Sequence, residues 1–163
     1  MSYSLPIINK KIEKIRQFAL TEDMHVKDDD IKSAVVKFMK FKECVGNINN
    51  DIHYLTTHLA NDFLKKKHGV TINVDKPSGS GGLDIESHDI VAEIKTTIPY
   101  QQNDFGAKQK SEIIPNLKRL ESSFAKYKYF FVTDSKTERI LKSKYMRKYP
   151  SVVVINLLND THD

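Results

Sequence analysis

The 163-residue chain has one cysteine, Cys44. One thiol cannot form an internal disulfide or a multi-cysteine zinc site, and it fits a reducing cytosol. No apolar run approaches the ~20 residues a membrane helix needs; 90–92 and 152–155 are among the longest. The opening MSYSLPIINKK lacks a basic-then-apolar leader pattern, so a cytoplasmic protein without membrane contact is expected. Repeats and low-complexity tracts are missing too. The glycine-rich stretch 77–82 lacks the Lys-Ser/Thr of a phosphate-binding P-loop and precedes a strand, which excludes a dinucleotide fingerprint as well. There is no Gly-x-Ser-x-Gly elbow, and Cys44 has no evident histidine partner. The six histidines stand without zinc spacing and read as surface or capping residues.

What remains is ample for folding. Hydrophobic residues make up 39% and charged residues 29%, which excludes wholesale disorder. At ~150 residues per domain, the length predicts a single domain, 1–163. The net charge of +5 is unevenly placed. Between Lys108 and Lys148, twelve Lys or Arg face four Asp or Glu, leaving −3 for the rest of the chain. A basic C-terminal third favours a polyanionic partner, although a solvated helix surface would read the same way.

Periodicity predicts helices over 7–20 (Ile8, Ile12, Ile15, Phe18), 31–44 (Ile31, Val35, Phe38, Phe41) and about 50–68 (Ile52, Leu55, Leu59, Phe63 inward). Strands are predicted at 70–74, 83–86 and 90–97. A helix follows over 111–127 (Ile113, Leu117, Leu120, Phe124 inward), with Pro115 tolerable only near its first turn. A strand at 129–133, a helix at 137–148 and a strand at 152–157 complete an α/β domain on a mixed sheet.

The chemistry concentrates in 82–95. If His88-Asp89 forms a two-residue turn, Ser87 faces Ile90, Ile85 faces Ala92 and Asp84 faces Glu93. Leu83, Ile85, Ala92 and Ile94 then share an apolar side, and Asp84, Glu93 and Lys95 the other. Opposed carboxylates repel unless a cation sits between them. Lys95 is one; Mg²⁺, which takes hard oxygen ligands and keeps waters, is a better one. Such an ion can polarise a phosphoryl oxygen and lower the pKa of a water, and a lysine can neutralise charge developing on phosphate. Alternating charges on an exposed hairpin would look similar, so the motif depends on its context.

In that context, Gly82-Leu83-Asp84…Glu93-Ile94-Lys95 resembles the motif of the PD-(D/E)XK nuclease superfamily, which includes many type II restriction endonucleases and Holliday-junction resolvases. Leu83 stands where the motif's name has proline. The resemblance implies a restriction-endonuclease-like core of helix–three strands–helix–strand over 49–134. It leaves a helical N-terminal subregion, 1–48, and a helix–strand extension, 135–163. It implies that Asp84 and Glu93, with the backbone carbonyl of Ile94, bind Mg²⁺, and that Lys95 assists the attacking water. A further acid on the first core helix would be Asp51 or Glu43. The expected activity is Mg²⁺-dependent hydrolysis of phosphodiester bonds in double-stranded DNA, leaving 5′-phosphate and 3′-hydroxyl ends. The overall likeness is to a small type II restriction enzyme. A homodimer would be needed to cut both strands of a palindrome, with 1–48 the candidate for its contacts. The alternatives are a junction resolvase and a non-catalytic DNA-binding module.

Candidate DNA contacts are Ser78 and Ser80 through a backbone cradle, and Gln101, Gln102 and Asn103, whose amides can read adenine. Lys108, Gln109 and Lys110 open a helix whose N-terminus favours phosphate.

Overall fold

A computed structural model describes residues 5–25, 30–72 and 82–159. The chain divides into two compact units, Met1–Asp51 and Ile52–Asp163.

The first unit contains helices α1 (Leu5–Thr21) and α2 (Ile31–Val45) and the start of α3 (Ile48–His68). Asp30 caps α2, its carboxylate accepting the Ser33 N–H at 2.8 Å. Gly46, at φ 56°, ends it in a backbone conformation that glycine tolerates best. The two helices meet through Phe18 and Phe41, whose ring centroids are 5.9 Å apart. The predicted apolar stripe of α2 does not become core. Ile31, Val35 and Phe38 are 76, 56 and 68% exposed, and Ile12 of α1 is exposed as well.

The second unit is a four-stranded mixed sheet in the order β1 (Ile85–Glu86), β2 (Ile90–Lys95), β3 (Tyr127–Val132), β4 (Val153–Asn156). β1 and β2 are antiparallel; β2, β3 and β4 run parallel. The β2–β3 crossover carries α4 (Ala107–Ser122). The β3–β4 crossover carries α5 (Ser135–Ile140) and a π-helical turn, Leu141–Tyr145. Parallel sheets need both faces covered, and this one has two apolar clusters. Ile85, Ile90, Ala92, Ile94, Tyr129 and Phe131 pack with Ala60, Phe63 and Leu64 of α3. Val91, Phe130, Val132 and Val154 pack with Ile113, Leu117 and Leu120 of α4 and with Ile140 and Leu141.

Several expectations are corrected. Of the strand expected at 70–74, Val70, Thr71 and Ile72 are irregular and the remainder lies outside the described residues. Two strands, not three, therefore precede α4 among the described residues. β1 keeps only Ile85 and Glu86, because Gly82, at φ 107°, and a bend at Asp84 interrupt the extended chain. With alternation lost, Leu83 joins the α4 cluster rather than the side holding Ile85.

The buried side of α3 is Thr56, Thr57, Ala60, Phe63 and Leu64; Ile52 and Leu59 point outward. Thr56 and Thr57 satisfy their hydroxyls on the carbonyls one turn back, at 2.7 and 2.8 Å, so polar residues can occupy that face. α4 starts at Ala107, four residues early, so Pro115 sits beyond the first turn. It ends before Phe124, which is fully exposed. The helix expected at 137–148 starts at Ser135, capped by Asp134, and turns π-helical at Leu141.

Candidate active site

β2 positions the chemistry. Its ladder with β1 pairs Ile85 with Ala92 and Glu86 with Val91. That is the register expected from the sequence; the ladder ends at Ile85, and Asp84, at a bend just before it, still lies near enough for its charge to act on Glu93. The turn closes through the Ser87 N–H on the Ile90 carbonyl at 2.9 Å. β2 alternates Ile90, Ala92 and Ile94 toward α3 with Val91, Glu93 and Lys95 toward the opposite face.

Neither face is open to solvent. Glu93 is 4% exposed, a carboxylate within a covered strand. Burying an ionised carboxylate is costly unless partners compensate, which makes Glu93 a candidate site residue. Its partners are Lys95 Nζ, 2.6 Å from Oε1, and the Asn116 side-chain amide of α4, which donates to the same oxygen. Burial pushes the Glu93 carboxyl above 4.5, and the neighbouring Asp84 charge adds to this; Lys95 and the Asp84 backbone N–H only partly oppose it.

Asp84 is held differently. Its Oδ2 accepts the Ile94 N–H at 2.8 Å, and Oδ1 lies 3.5 Å from His53 Nε2. Burial alone would raise this carboxyl; His53, the Ile94 N–H and the Lys95 charge together outweigh it and hold the group below 3.8. His53 in turn is raised above 6.5, chiefly by its hydrogen bond to Asp84, against the opposing effect of burial. The approach to Asp84 is fixed by Arg119 of α4, whose guanidinium donates to the Gly82 carbonyl at 2.8 Å.

His53 was not singled out by the sequence, where it reads as one scattered histidine. The available signal was its place on the helix expected to contribute an extra acid. Asp51, the expected acid, is buried in an ion pair with Lys11 of the N-terminal unit. Residues two apart on a helix point ~200° from each other, so α3 carries Asp51 and His53 on opposite sides. Glu43 lies in the N-terminal unit with Lys40 and Cys44, along a cavity of about 360 Å³.

The candidate DNA contacts separate. Ser78 and Ser80 lie outside the described residues. Gln101, Gln102, Asn103 and Lys108 are exposed. Lys110 pairs with Asp104 at 2.8 Å. Gln109 is a correction: it is 6% exposed and its amide serves the protein, donating to the Ile98 carbonyl at 2.8 Å and accepting the Gly106 N–H at 3.1 Å.

Among the described residues no three His, Cys, Asp or Glu side chains form a ready-made metal cluster. The donor set still fits a hard divalent ion. Two neighbouring carboxylates repel, Glu93 being forced upward in pKa, and a cation between them would relieve both effects. No family model, curated protein or solved structure matches this chain. No helix among the described residues is long and apolar enough to cross a membrane.

Proposed function

We propose that this chain is a Mg²⁺-dependent endodeoxyribonuclease acting on duplex DNA, built on a restriction-endonuclease-like core and working as a homodimer in the manner of a type II restriction enzyme. The observation that carries the reading is the hairpin register. It brings Asp84, at the bend before β1, into charge range of Glu93 in a covered strand, where Lys95 pairs with Glu93.

Asp84 and Glu93, with the Ile94 carbonyl, are the groups that would hold the ion. When bound, Mg²⁺ supplies electrostatic stabilisation of the phosphoryl oxygens and acidifies a water. The chain's own residues do the rest. The Ile94 N–H fixes the Asp84 carboxylate in orientation, and Asn116 and Lys95 fix that of Glu93. Lys95 is partly exposed, so its ammonium can reach both a water and a phosphate oxygen. In the reaction the water oxygen loses a proton and bonds to phosphorus as the P–O3′ bond breaks, and the departing O3′ takes up a proton, giving 5′-phosphate and 3′-hydroxyl ends. Lys95 neutralises charge developing on phosphate, where a preorganised cation in a partly dry site acts strongly. His53, held on Asp84, steadies that carboxylate from α3. The exposed apolar face of α2 is the surface for the second copy.

Incubating the purified protein with phage DNA, with and without Mg²⁺, tests the reading. Discrete bands that need Mg²⁺ and vanish in Asp84→Ala and Glu93→Ala are the expected result. Nicking of a four-way junction with linear duplex ignored would reassign the substrate to branched DNA. DNA binding with no cleavage of either would reduce the protein to a binding module.

A further inference from the structure

The segment between β2 and α4 is irregular in secondary structure yet tightly held. Three successive carbonyls are each taken by a different donor. Thr137 Oγ1 donates to Thr97 at 2.7 Å, Gln109 Nε2 to Ile98 at 2.8 Å and Lys136 Nζ to Pro99 at 3.2 Å. Farther along, Asp104 accepts from the Tyr145 hydroxyl at 3.0 Å and pairs with Lys110 at 2.8 Å, and Phe105 is buried. Pro99 is buried as well, a ring of fixed φ pegging the middle of the turn. On either side of that peg the chain turns two apolar side chains outward: Ile98 is 66% exposed and Tyr100 86%.

Single exposed apolar residues are ordinary. Here two flank one buried proline on backbone whose carbonyls are held by Thr137, Gln109 and Lys136. The site lies close by. A fully extended chain spans at most ~3.6 Å per residue, which bounds Ile98 within ~11 Å and Tyr100 within ~18 Å of Lys95 along the backbone. Those distances correspond to a few base steps of DNA at ~3.4 Å each. The electrostatic surroundings favour a polyanion over another apolar protein face. Lys108 is exposed and Lys136 lies against the turn, while Asp104, the one acid in 96–106, is already paired with Lys110 and Lys144.

We propose that Ile98 and Tyr100 form a wedge that enters the DNA base stack within a few base steps of the scissile phosphate, the Tyr100 ring stacking on a base and Ile98 filling the opened step. Apolar wedges of this kind partly unstack a step, and aromatic rings stack on any base. The inference rests on the DNA-cleaving reading above and adds how the substrate is deformed. Gln101, Gln102 and Asn103, next in the chain and exposed, would follow the wedge toward base edges.

The test uses the full chain in metal-free buffer and two 30-base-pair duplexes, one fully paired and one with a central mismatch. A mismatched step costs less to open, so a wedge binds it more tightly. The wild type is expected to prefer the mismatched duplex several-fold. Tyr100→Ala should lose that preference and weaken binding about 5- to 150-fold. Tyr100→Phe should keep both within about threefold, since the ring stacks without its hydroxyl. The slope of log Kd against log salt should stay unchanged in Tyr100→Ala, because no phosphate contact is removed, while Lys108→Ala should make it shallower by about one. Equal mismatch preference in wild type and Tyr100→Ala would overturn the wedge while leaving the nuclease reading to its own assay. Loss of self-association in Tyr100→Ala with DNA binding intact would overturn it in favour of a contact between copies. No binding of either duplex by the wild type would overturn both readings.

Discussion

The two units use the same kinds of residue to opposite effect. In Ile52–Asp163 the apolar residues of β2, β3 and α4 close into two cores on either side of the sheet, with Phe130, Phe131 and Leu117 fully buried. In Met1–Asp51 Ile8 and Cys44 are the buried apolar residues among those described, while the Ile31, Val35 and Phe38 stripe stays outward. Helical periodicity reports an apolar face; it does not report what covers that face. In the sheet unit the covering layer is the chain's own next element. On α2 none of the described residues covers it, and the proposed dimer would use this stripe.

This contrast gives stability variants very different expected costs. Phe131→Ala removes a ring that lies 5.4 Å, centroid to centroid, from both Phe63 and Tyr129, and is expected to destabilise the chain by about 3–5 kcal/mol in denaturant melts. A loss below about 1 kcal/mol would mean that the α3 side of the sheet is not a packed core. A smaller, pH-dependent effect is expected at Asp104. Burial would raise its carboxyl, but Lys110, the Phe105 N–H and the Tyr145 hydroxyl hold it well below 3.8, while burial and Asp104 push the Tyr145 hydroxyl up to about 12. The folded state therefore binds the Asp104 proton more weakly than the unfolded one. The resulting stabilisation is complete above 3.8 and is lost as pH falls toward the depressed value. Asp104→Asn should be less stable at neutral pH and show a flatter acid limb in melts between about pH 4 and 2. The smallest effect is expected in the first unit. Phe38→Ala should alter stability by no more than about 0.5 kcal/mol at concentrations where the chain is monomeric. Phe38→Glu should shift sedimentation from dimer to monomer; a dimer that persists would place the interface elsewhere.

Sequence reading went furthest where one local rule acts alone. The pairing of Ile85 with Ala92 was legible because side chains alternate with period two and His88-Asp89 marks the turn; the bend that ends the ladder at Asp84 was not. It failed where packing outvotes propensity. Thr56 and Thr57 are buried in place of Ile52 and Leu59, since back-bonded hydroxyls are cheap to bury. Gln109 looked like a helix-start DNA contact because nothing local shows that its amide closes the turn after β2. His53 was invisible for a related reason: its partner Asp84 is thirty-one residues away, a tertiary meeting without sequence spacing.

The central claim is that the buried Glu93 and the half-buried Asp84 serve metal-dependent hydrolysis and are not a structural ion-pair network. It is tested most directly by conversion of supercoiled plasmid to nicked and linear forms, measured for wild type and Glu93→Ala in Mg²⁺ and in EDTA, with DNA affinity followed in parallel. The account predicts conversion by wild type in Mg²⁺ alone, and about 10²- to 10³-fold slower conversion by Glu93→Ala, the scale on which loss of a key electrostatic group acts. DNA affinity should be retained or tightened in the variant, since a negative charge near phosphate is gone. Equal conversion by both proteins, or conversion that survives EDTA, would contradict it.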